Sequence, residues 1–586
     1  LDYGLIGNGQ SAALISPTGS INWLCLPAFD SPSVFGHLLD HGNGGSFRLN
    51  FVGEYQTHQS YLKNTNVLIT RFDSAHATVE VVDFMPRWEL WEGRQQYTPA
   101  ELVRTIRVKR GEPELRVEFD PRLNYALSDT SITLFDPSTL LATDGEQSLF
   151  LTTNLDAQSI LAGHSIRLCE REDYFIQLTY GQPPSHAPSC GTVQEGLDKT
   201  VHYWRRWVKN CYLPDEYQAD IIRSALTLKM LIYERTGAVI AAPTTSLPEI
   251  EGGNRNWDYR FCWLRDSYFI VDSLLKLSKF EETENYIAYL KNVIKDNLTT
   301  LRPLYTIEGD LVPPVTELSH WSGVMGSRPV RIGNDATDHH QTDAYGEVIL
   351  ALYPLFFDDR VVRFDGDHLW GLVERLVTMA ITQFPVKDNG IWEIGNPPRH
   401  YTFSKLFCWV AVDRGCDIAY RQGKQTLYRR WNKIRRDMKQ EILKEAWNPE
   451  VGAFTQYYGG ESLDASTLLM PIVGLIDPKD PRMVSTVKRS EEQLTVNGLM
   501  FRYTHPDELG NPENAFAICT FWLIDALILM GQKKRARQYF HRLLKMGNSL
   551  GLFSEHINPT TGEMIGNFPQ GYTHVAVINT AMLLAR

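Results

Sequence analysis

Paired cysteines are missing from this sequence. Its 586 residues hold eight cysteines, at 25, 169, 190, 211, 262, 408, 416 and 519, with no C-x-x-C pair and no Cys/His spacing that suggests zinc. Cys408 and Cys519 fall in apolar helical stretches and read as small core residues. Reduced thiols in a cytoplasmic protein are the expectation. Long apolar runs are missing too, so no membrane span is expected. Positive charge is in deficit: 58 Lys+Arg against 69 Asp+Glu leave a net charge of −11. That argues against nucleic acid or an anionic membrane as a partner. There is no Walker motif and no G-x-S-x-G elbow, and Gly7-Asn8-Gly9 lacks the rest of a dinucleotide fingerprint. His339-His340 reads as a surface pair at a helix start rather than a metal site, and Asp365-Gly366-Asp367 as a turn rather than a calcium loop. No metal and no cofactor are expected. The chain opens on Leu1 rather than Met, which leaves a preceding leader open.

What is present suits a large globular protein, with 43% hydrophobic and 22% charged residues. The length exceeds what one core serves. Residues 1–194 read as an antiparallel β-sandwich domain, from β-rich runs such as Val67–Phe72 and Thr78–Phe84. Ile106–Val108 and Leu115–Phe119 alternate around Gly111-Glu112-Pro113, which predicts a hairpin. Gly181–Gly191 reads as loop, and 195–213 as a connecting segment. From 214 to 586 the period is helical. Twelve stretches follow, at roughly 214–235, 264–279, 281–298, 341–357, 367–384, 402–422, 424–447, 463–474, 480–492, 514–531, 533–547 and 572–586. Twelve alternating helices can close as six inner and six outer, an (α/α)6 barrel.

The unusual loops all lead into even-numbered helices. Asn256–Asp266 leads into the second and Gly326–Asn334 into the fourth. Trp392-Glu393 precedes the sixth, Asn511–Phe516 the tenth, and Ser554-Glu555-His556 the twelfth. In an alternating barrel those ends converge on one funnel, which marks a candidate active site. Glu393 and Glu555 form the minimum pair for cutting a glycosidic bond. Glu393 follows Trp392, and a carboxyl beside an indole loses hydration, which favours the proton-donating form. Glu555 lies in a polar loop suited to a carboxylate that polarises water. Arg265 and Asp266 offer donors and acceptors to a polyol, with Trp257, Tyr259 and Trp263 as stacking platforms. Glu513 is a third carboxylate, open between a substrate contact and a helix cap. Arg328, Arg331 and Arg502 are open between holding hydroxyls and bridging carboxylates.

At these residues the chain resembles glycoside hydrolase family 15, the glucoamylases, glucodextranases and some bacterial and archaeal trehalases. The resemblance runs nearly end to end: Asp2–Gly9, Gly19–Pro27 and Phe29–Ser33, then Ala242–Glu249 and Asn256–Asp266, and late in the chain Cys519–Leu523 and Glu555–Gln570. It implies a β-sandwich on an (α/α)6 barrel and inverting exo-hydrolysis of α-glucosides. It implies Glu393 as general acid and Glu555 as general base. Arg265 and Asp266 would hold the non-reducing glucose, with Trp263 beside them and Arg502 at the boundary with the acceptor sugar. Two stretches depart from the family's pattern: Trp321–Met325 where Leu-Glu-Gly-Tyr-Arg is usual, and Glu513-Asn514-Ala515-Phe516 where Glu-Gly-Ala-Phe is usual. Both are expected on the barrel mouth, where they bear on the acceptor sugar.

The function expected first is a glucoamylase-like inverting α-glucosidase, releasing β-glucose from short α-glucans or α-glucobioses. A trehalase is the alternative. A non-catalytic glucan-binding relative is the alternative from another class. The expected partner is a small α-glucoside, and the oligomeric state is left open, a homodimer being one option.

Overall fold

A computed structural model describes the chain except for residues 92–94, 295–300, 362–365 and 395–396. Asp365 of the expected turn and the expected end of the third helix at 298 lie outside the described residues. The N-terminal part is two antiparallel sheets. In the first, Gly4–Gly7, Ala12–Ile15, Ile21–Cys25, Ser46–Phe51, Glu114–Asp120 and Ile166–Arg167 lie side by side, and Ser33–Phe35 pairs off Ile21–Cys25. The second runs Ser131–Asp136, Thr139–Thr143, Ser148–Thr153, Asp173–Tyr180, Glu101–Arg110, Thr78–Phe84, Leu68–Asp73 and Gln56–Tyr61.

The expected hairpin around Gly111 is not formed. Glu101–Arg110 pairs with Thr78–Phe84 and Asp173–Tyr180, whereas Glu114–Asp120 pairs with Ser46–Phe51 in the other sheet. The Gly111 turn, with φ +81°, therefore carries the chain from one sheet to the other. Ile106 and Val108 on one side and Leu115, Val117 and Phe119 on the other all enter the same core. Alternation shows which face is buried, and a strand crossing between sheets satisfies it as well as a hairpin does.

A helix, Cys190–Lys209, follows, capped reciprocally by Ser189 and Thr192. It occupies most of the stretch read as a connector. Then, apart from the short 3-10 turns Val324–Gly326 and Asp335–Asp338, come twelve helical segments among the described residues: Gln218–Met230, Leu264–Lys276, Phe280–Ile294, Ala344–Leu352 with Pro354–Phe357, Gly366–Gln383, Thr402–Arg421, Gln425–Glu445, Ala465–Leu468 with Leu469–Ile472, Pro481–Leu494, Ala517–Leu529, Lys533–Leu544 and Gly571–Ala585. The even-numbered segments pack each against the next, and the last against the second, so the inner ring closes. The odd-numbered ones lie outside it.

Composition explains this division. Ala517–Leu529 is buried at nearly every position, which suits a helix surrounded by others. Gln425–Glu445 buries only Trp431, Met438 and Ile442, a single stripe. Close approach inside the ring needs glycine: a Cβ on Gly346 would stand 2.2 Å from the Phe407 carbonyl oxygen of the sixth helix. The sandwich braces the barrel mouth. Trp23 Nε1 donates to the Pro243 carbonyl at 2.7 Å. Buried Arg260 is held by Asp258 at 2.7 and 2.9 Å and reaches the Ser31 carbonyl at 2.9 Å, which fixes the segment carrying Tyr259 and Trp263.

Candidate active site

That segment grips both candidate carboxylates. Tyr259 Oη donates to Glu555 Oε1 at 2.5 Å, and Trp263 Nε1 donates to Glu393 Oε1 at 2.9 Å. The two rings meet edge to face with centroids 5.4 Å apart. Burial, and next the Glu555 charge, hold the Tyr259 phenol far above its ordinary value, so it stays a donor.

Glu393 sits on a tight turn, its N–H donating to the Gly390 carbonyl at 3.3 Å. Its φ is +60°, a left-handed conformation that costs a non-glycine residue of order 1 kcal/mol. Gly390, also left-handed, lies against the Tyr401 ring, where a Cβ would approach to 2.8 Å. The indole on Glu393 is Trp263, not its chain neighbour. Trp392 instead donates to Asp464 Oδ2 at 2.8 Å and packs against Phe516 and Trp522. Successive side chains on a turn diverge, so sequence adjacency did not give contact.

Arg265 is the positive centre of the inner wall. Its guanidinium stands 3.5 Å from Asp343, 3.6 Å from Asp266 and 3.7 Å from Glu393, and donates to Gln341 Oε1 at 3.2 Å. Gln341 Nε2 in turn reaches Glu393 Oε1 at 3.4 Å. Burial pushes the Asp266 carboxyl up to about 6, with the Glu393 and Glu555 charges adding to it and Arg265 opposing.

Glu555 is buried beside a three-stranded sheet in which Phe516 pairs with His556 and His556 with Ile565. Its backbone accepts from Ala517 N–H at 3.0 Å. Gly566, with φ +87°, lets that sheet edge close on it: a Cβ there would stand 3.0 Å from Glu555 Oε2. Glu249, buried, accepts from Arg502 at 2.7 Å. Burial works against its ionisation, but the neighbouring cations, Arg502 first and also Arg255, outweigh it and hold the carboxyl below its ordinary value.

These groups line one cavity of about 300 Å³. Trp257, Tyr259, Trp263, Arg265, Asp266, Trp392, Glu393, Arg502 and Glu555 all face it. Three other residues singled out from the sequence, Arg328, Arg331 and Glu513, do not line it. Arg328 is exposed and donates to the Ser322 carbonyl at 3.3 Å. Glu513 is exposed, while the next residue, Asn514, is buried and donates to the Glu249 carbonyl at 2.7 Å. A place in a loop leading to an inner helix gives the end of the barrel, not the direction of the side chain. Arg331 lies over the Trp257 ring at 4.8 Å and bonds backbone carbonyls. Trp321–Met325 is not on the cavity. Trp321 is buried against Gly36 and Tyr125, and Ser322 N–H donates to Asp40 at 2.7 Å, so the sandwich holds this loop.

The cavity is also lined by residues that sequence reasoning passed over: Glu249, Arg255, Gln570, Tyr572 and the rim Asp507–Leu509. Glu249 ends the Ala242–Glu249 run, so its signal was in view. His339, read as a surface residue, lines the rim. The rim loop carries no such signal. It is tied down by Arg255, which bonds Asp507 Oδ1 at 2.5 Å and the Gly510 carbonyl at 2.8 Å. Among the described residues no group of three or more His, Cys, Asp or Glu is arranged to hold a metal ion, and no helix is long and apolar enough to cross a membrane.

Comparison with known proteins agrees with this architecture. The family described as "Glycosyl hydrolases family 15" matches residues 216–582, and "Trehalase-like, N-terminal" matches residues 2–152. A trehalase of Mycobacterium tuberculosis is 37% identical, over 100% of this chain and 89% of that protein. A trehalase of Thermoplasma volcanium is 34% identical, over 99% of this chain and 92% of that protein. A bacterial glucoamylase solved in complex with acarbose superposes with a TM-score of 0.72 at 15% identity, over 99% of this chain and 94% of that one. That likeness carries the β-sandwich and (α/α)6 barrel. The chain belongs to glycosyl hydrolases family 15 and is a glycoside hydrolase.

Proposed function

We propose that this enzyme is an inverting trehalase. The observation that carries the proposal is the cavity. It holds two carboxylates gripped by different rings of one segment, in a space of about 300 Å³ that Asp507–Leu509 also line. That volume is at the small end for ligand pockets, about 300–1,000 Å³, and suits one or two sugar rings. Relatives named trehalase, similar along the whole chain, support trehalose over the glucoamylase-like substrate expected first.

In this reading Arg265 and Asp266 bind hydroxyls of one glucose. The hydrogen bonds to Glu393 converge on Oε1, which leaves Oε2 to present a proton to the bridging oxygen. As the C–O bond breaks, Glu555 removes a proton from a water whose oxygen bonds to the anomeric carbon from the opposite face. Inversion needs room for that water, about 6.5–9.5 Å between carboxyl groups.

Proton NMR tests both substrate and stereochemistry. Inversion at one carbon of α,α-trehalose yields one β-glucose, while the leaving glucose stays α, so equal α and β signals are expected before mutarotation. Early α-glucose alone would overturn the mechanism. A higher kcat/KM for maltose or maltotriose than for trehalose would overturn the substrate assignment.

A further inference from the structure

Behind Glu555 stands a second carboxylate with an imidazole between them. His556 Nδ1 lies 3.3 Å from Glu555 Oε2, and His556 Nε2 lies 3.9 Å from Glu249 Oε2. All three side chains are buried. Neither Glu555 Oε2 nor His556 Nδ1 has a hydrogen-bond partner. Buried polar atoms are rarely left so. With the base ionised and His556 neutral, its proton on Nε2 toward Glu249, two acceptors face each other. One proton added at Nδ1 turns them into an imidazolium and a carboxylate 3.3 Å apart, an ion pair in place of two facing acceptors. The reaction supplies one, since the base removes one proton from water in each turnover.

The surroundings favour holding it there. Phe516 stacks on the imidazole with centroids 4.8 Å apart, and Gly566 closes the Nδ1 edge, where a Cβ would stand 3.2 Å away. The charged groups facing His556 are Glu555 and Glu249. Beyond them, Arg502 and Arg255 act on Glu249, and Tyr259 donates to the other oxygen of Glu555. Glu249 thus supplies the negative charge that an imidazolium needs.

We propose that His556 is a positioning residue for the general base: it shares the proton that Glu555 takes from water, and Glu249 stabilises the charge this creates. The step balances. The glycosidic C–O bond breaks as the water oxygen bonds to the anomeric carbon, the leaving oxygen takes the Glu393 proton, the water's O–H proton passes to the Glu555–His556 pair, and after product release the pair gives its proton to solvent while Glu393 takes one up. The proposal rests on Glu555 being the base.

The test is the pH profile of kcat/KM on trehalose for His556→Asn and Glu249→Gln in the full chain. A base that shares its proton with an imidazole titrates as a pair. Removing the imidazole, or the charge behind it, lowers the pair's hold on a proton. The acid limb should move to lower pH by about one unit in each variant, together with a fall in kcat. A fall in activity with the limb unmoved in both would assign His556 a structural role and overturn the proposal. If one variant fails to fold, the other decides, and His556→Gln stands in reserve. Glu555→Gln separates the two readings. If it is inactive while the limb in His556→Asn stays put, this inference falls and the base assignment stands. If it stays active, the base assignment itself falls.

Discussion

Replacing Asp266 by Asn should make the protein more stable at neutral pH while disabling it. Asp266 is buried, and its carboxyl is pushed from 3.8 up to about 6, chiefly by burial. Roughly two units correspond to about 3 kcal/mol. The sign follows from proton binding. Between about pH 4 and 6 the folded chain keeps a proton that the unfolded chain has lost, so stability falls as pH rises through that window. Above it the whole cost of the buried charge applies. Asparagine carries no such cost. Relative to wild type, Asp266→Asn should therefore gain about 3 kcal/mol between pH 4 and pH 7. At about 2.1 cal/mol/K per residue over the matched stretch 216–582, that is a swing of about 4 °C in relative Tm. Thermal melts of both proteins at the two pH values measure it. The same variant should lose about 10- to 100-fold in kcat/KM, because a charged hydrogen bond to a sugar hydroxyl is worth about 1.5–3 kcal/mol. A relative Tm that is flat with pH, or that falls toward pH 7, would refute the reasoning.

The other expectations concern the carboxylates and their holders. Glu393→Gln and Glu555→Gln should each lose about 10² to 10⁴-fold in kcat with an unchanged circular dichroism spectrum; more than a tenth of kcat retained would remove that residue from its role. Tyr259→Phe takes a donor from Glu555, so kcat should fall about 10- to 100-fold. Its acid limb should move up in pH, opposite to His556→Asn, and a downward shift would contradict the hydrogen bond's role. Gly566→Ala forces a Cβ to 3.0 Å from Glu555 Oε2 at a φ of +87°. It should lower kcat more than tenfold and Tm by a few degrees; a fully active, fully stable variant would show that the sheet edge yields there.

The helices were legible because burial writes a period into the sequence. In the sequence, inner and outer positions follow from alternation alone, and the structure buries Ala517–Leu529 all round and Gln425–Glu445 on one stripe. Alternation then places every even-numbered helix start at one end. What the pattern does not carry is pairing and direction. Strand alternation at Ile106–Val108 and Leu115–Phe119 is equally satisfied by a hairpin and by a crossing between sheets, and the core took the crossing. Glu513 and Asn514 are neighbours in one loop, yet the amide turns in and the carboxylate out. Trp392 and Glu393 part in the same way. Arg255 and the Asp507–Leu509 rim met only through folding, across some 250 residues.

The cavity wall also explains why a neutral sugar suits this barrel. Glu249, Asp266, Asp343, Glu347, Asp388, Asp464 and Glu555 are buried in or behind it, against only Arg255, Arg265 and Arg502 among nearby buried arginines. Three devices make that tolerable. Inner helices begin at the mouth, and their N-terminal N–H groups favour anions: Asp266 lies in the first turn of Leu264–Lys276, and Asp464 accepts from Ser466 N–H at the start of the eighth segment. Arg265 stands within 3.7 Å of three carboxylates. Two more hold a proton more readily than usual: burial and then Asp343 push Glu347 well up, and the same two causes bring Asp388 to about 6. Among the described residues, the arginines that line the cavity are each already beside a carboxylate. A uronic acid would add a charge that the wall could neutralise only by taking up another proton. A neutral glucoside asks only for hydroxyl partners, and in the proposed reading Arg265, Asp266 and Arg502, which line the cavity, would supply them while still holding their ion pairs.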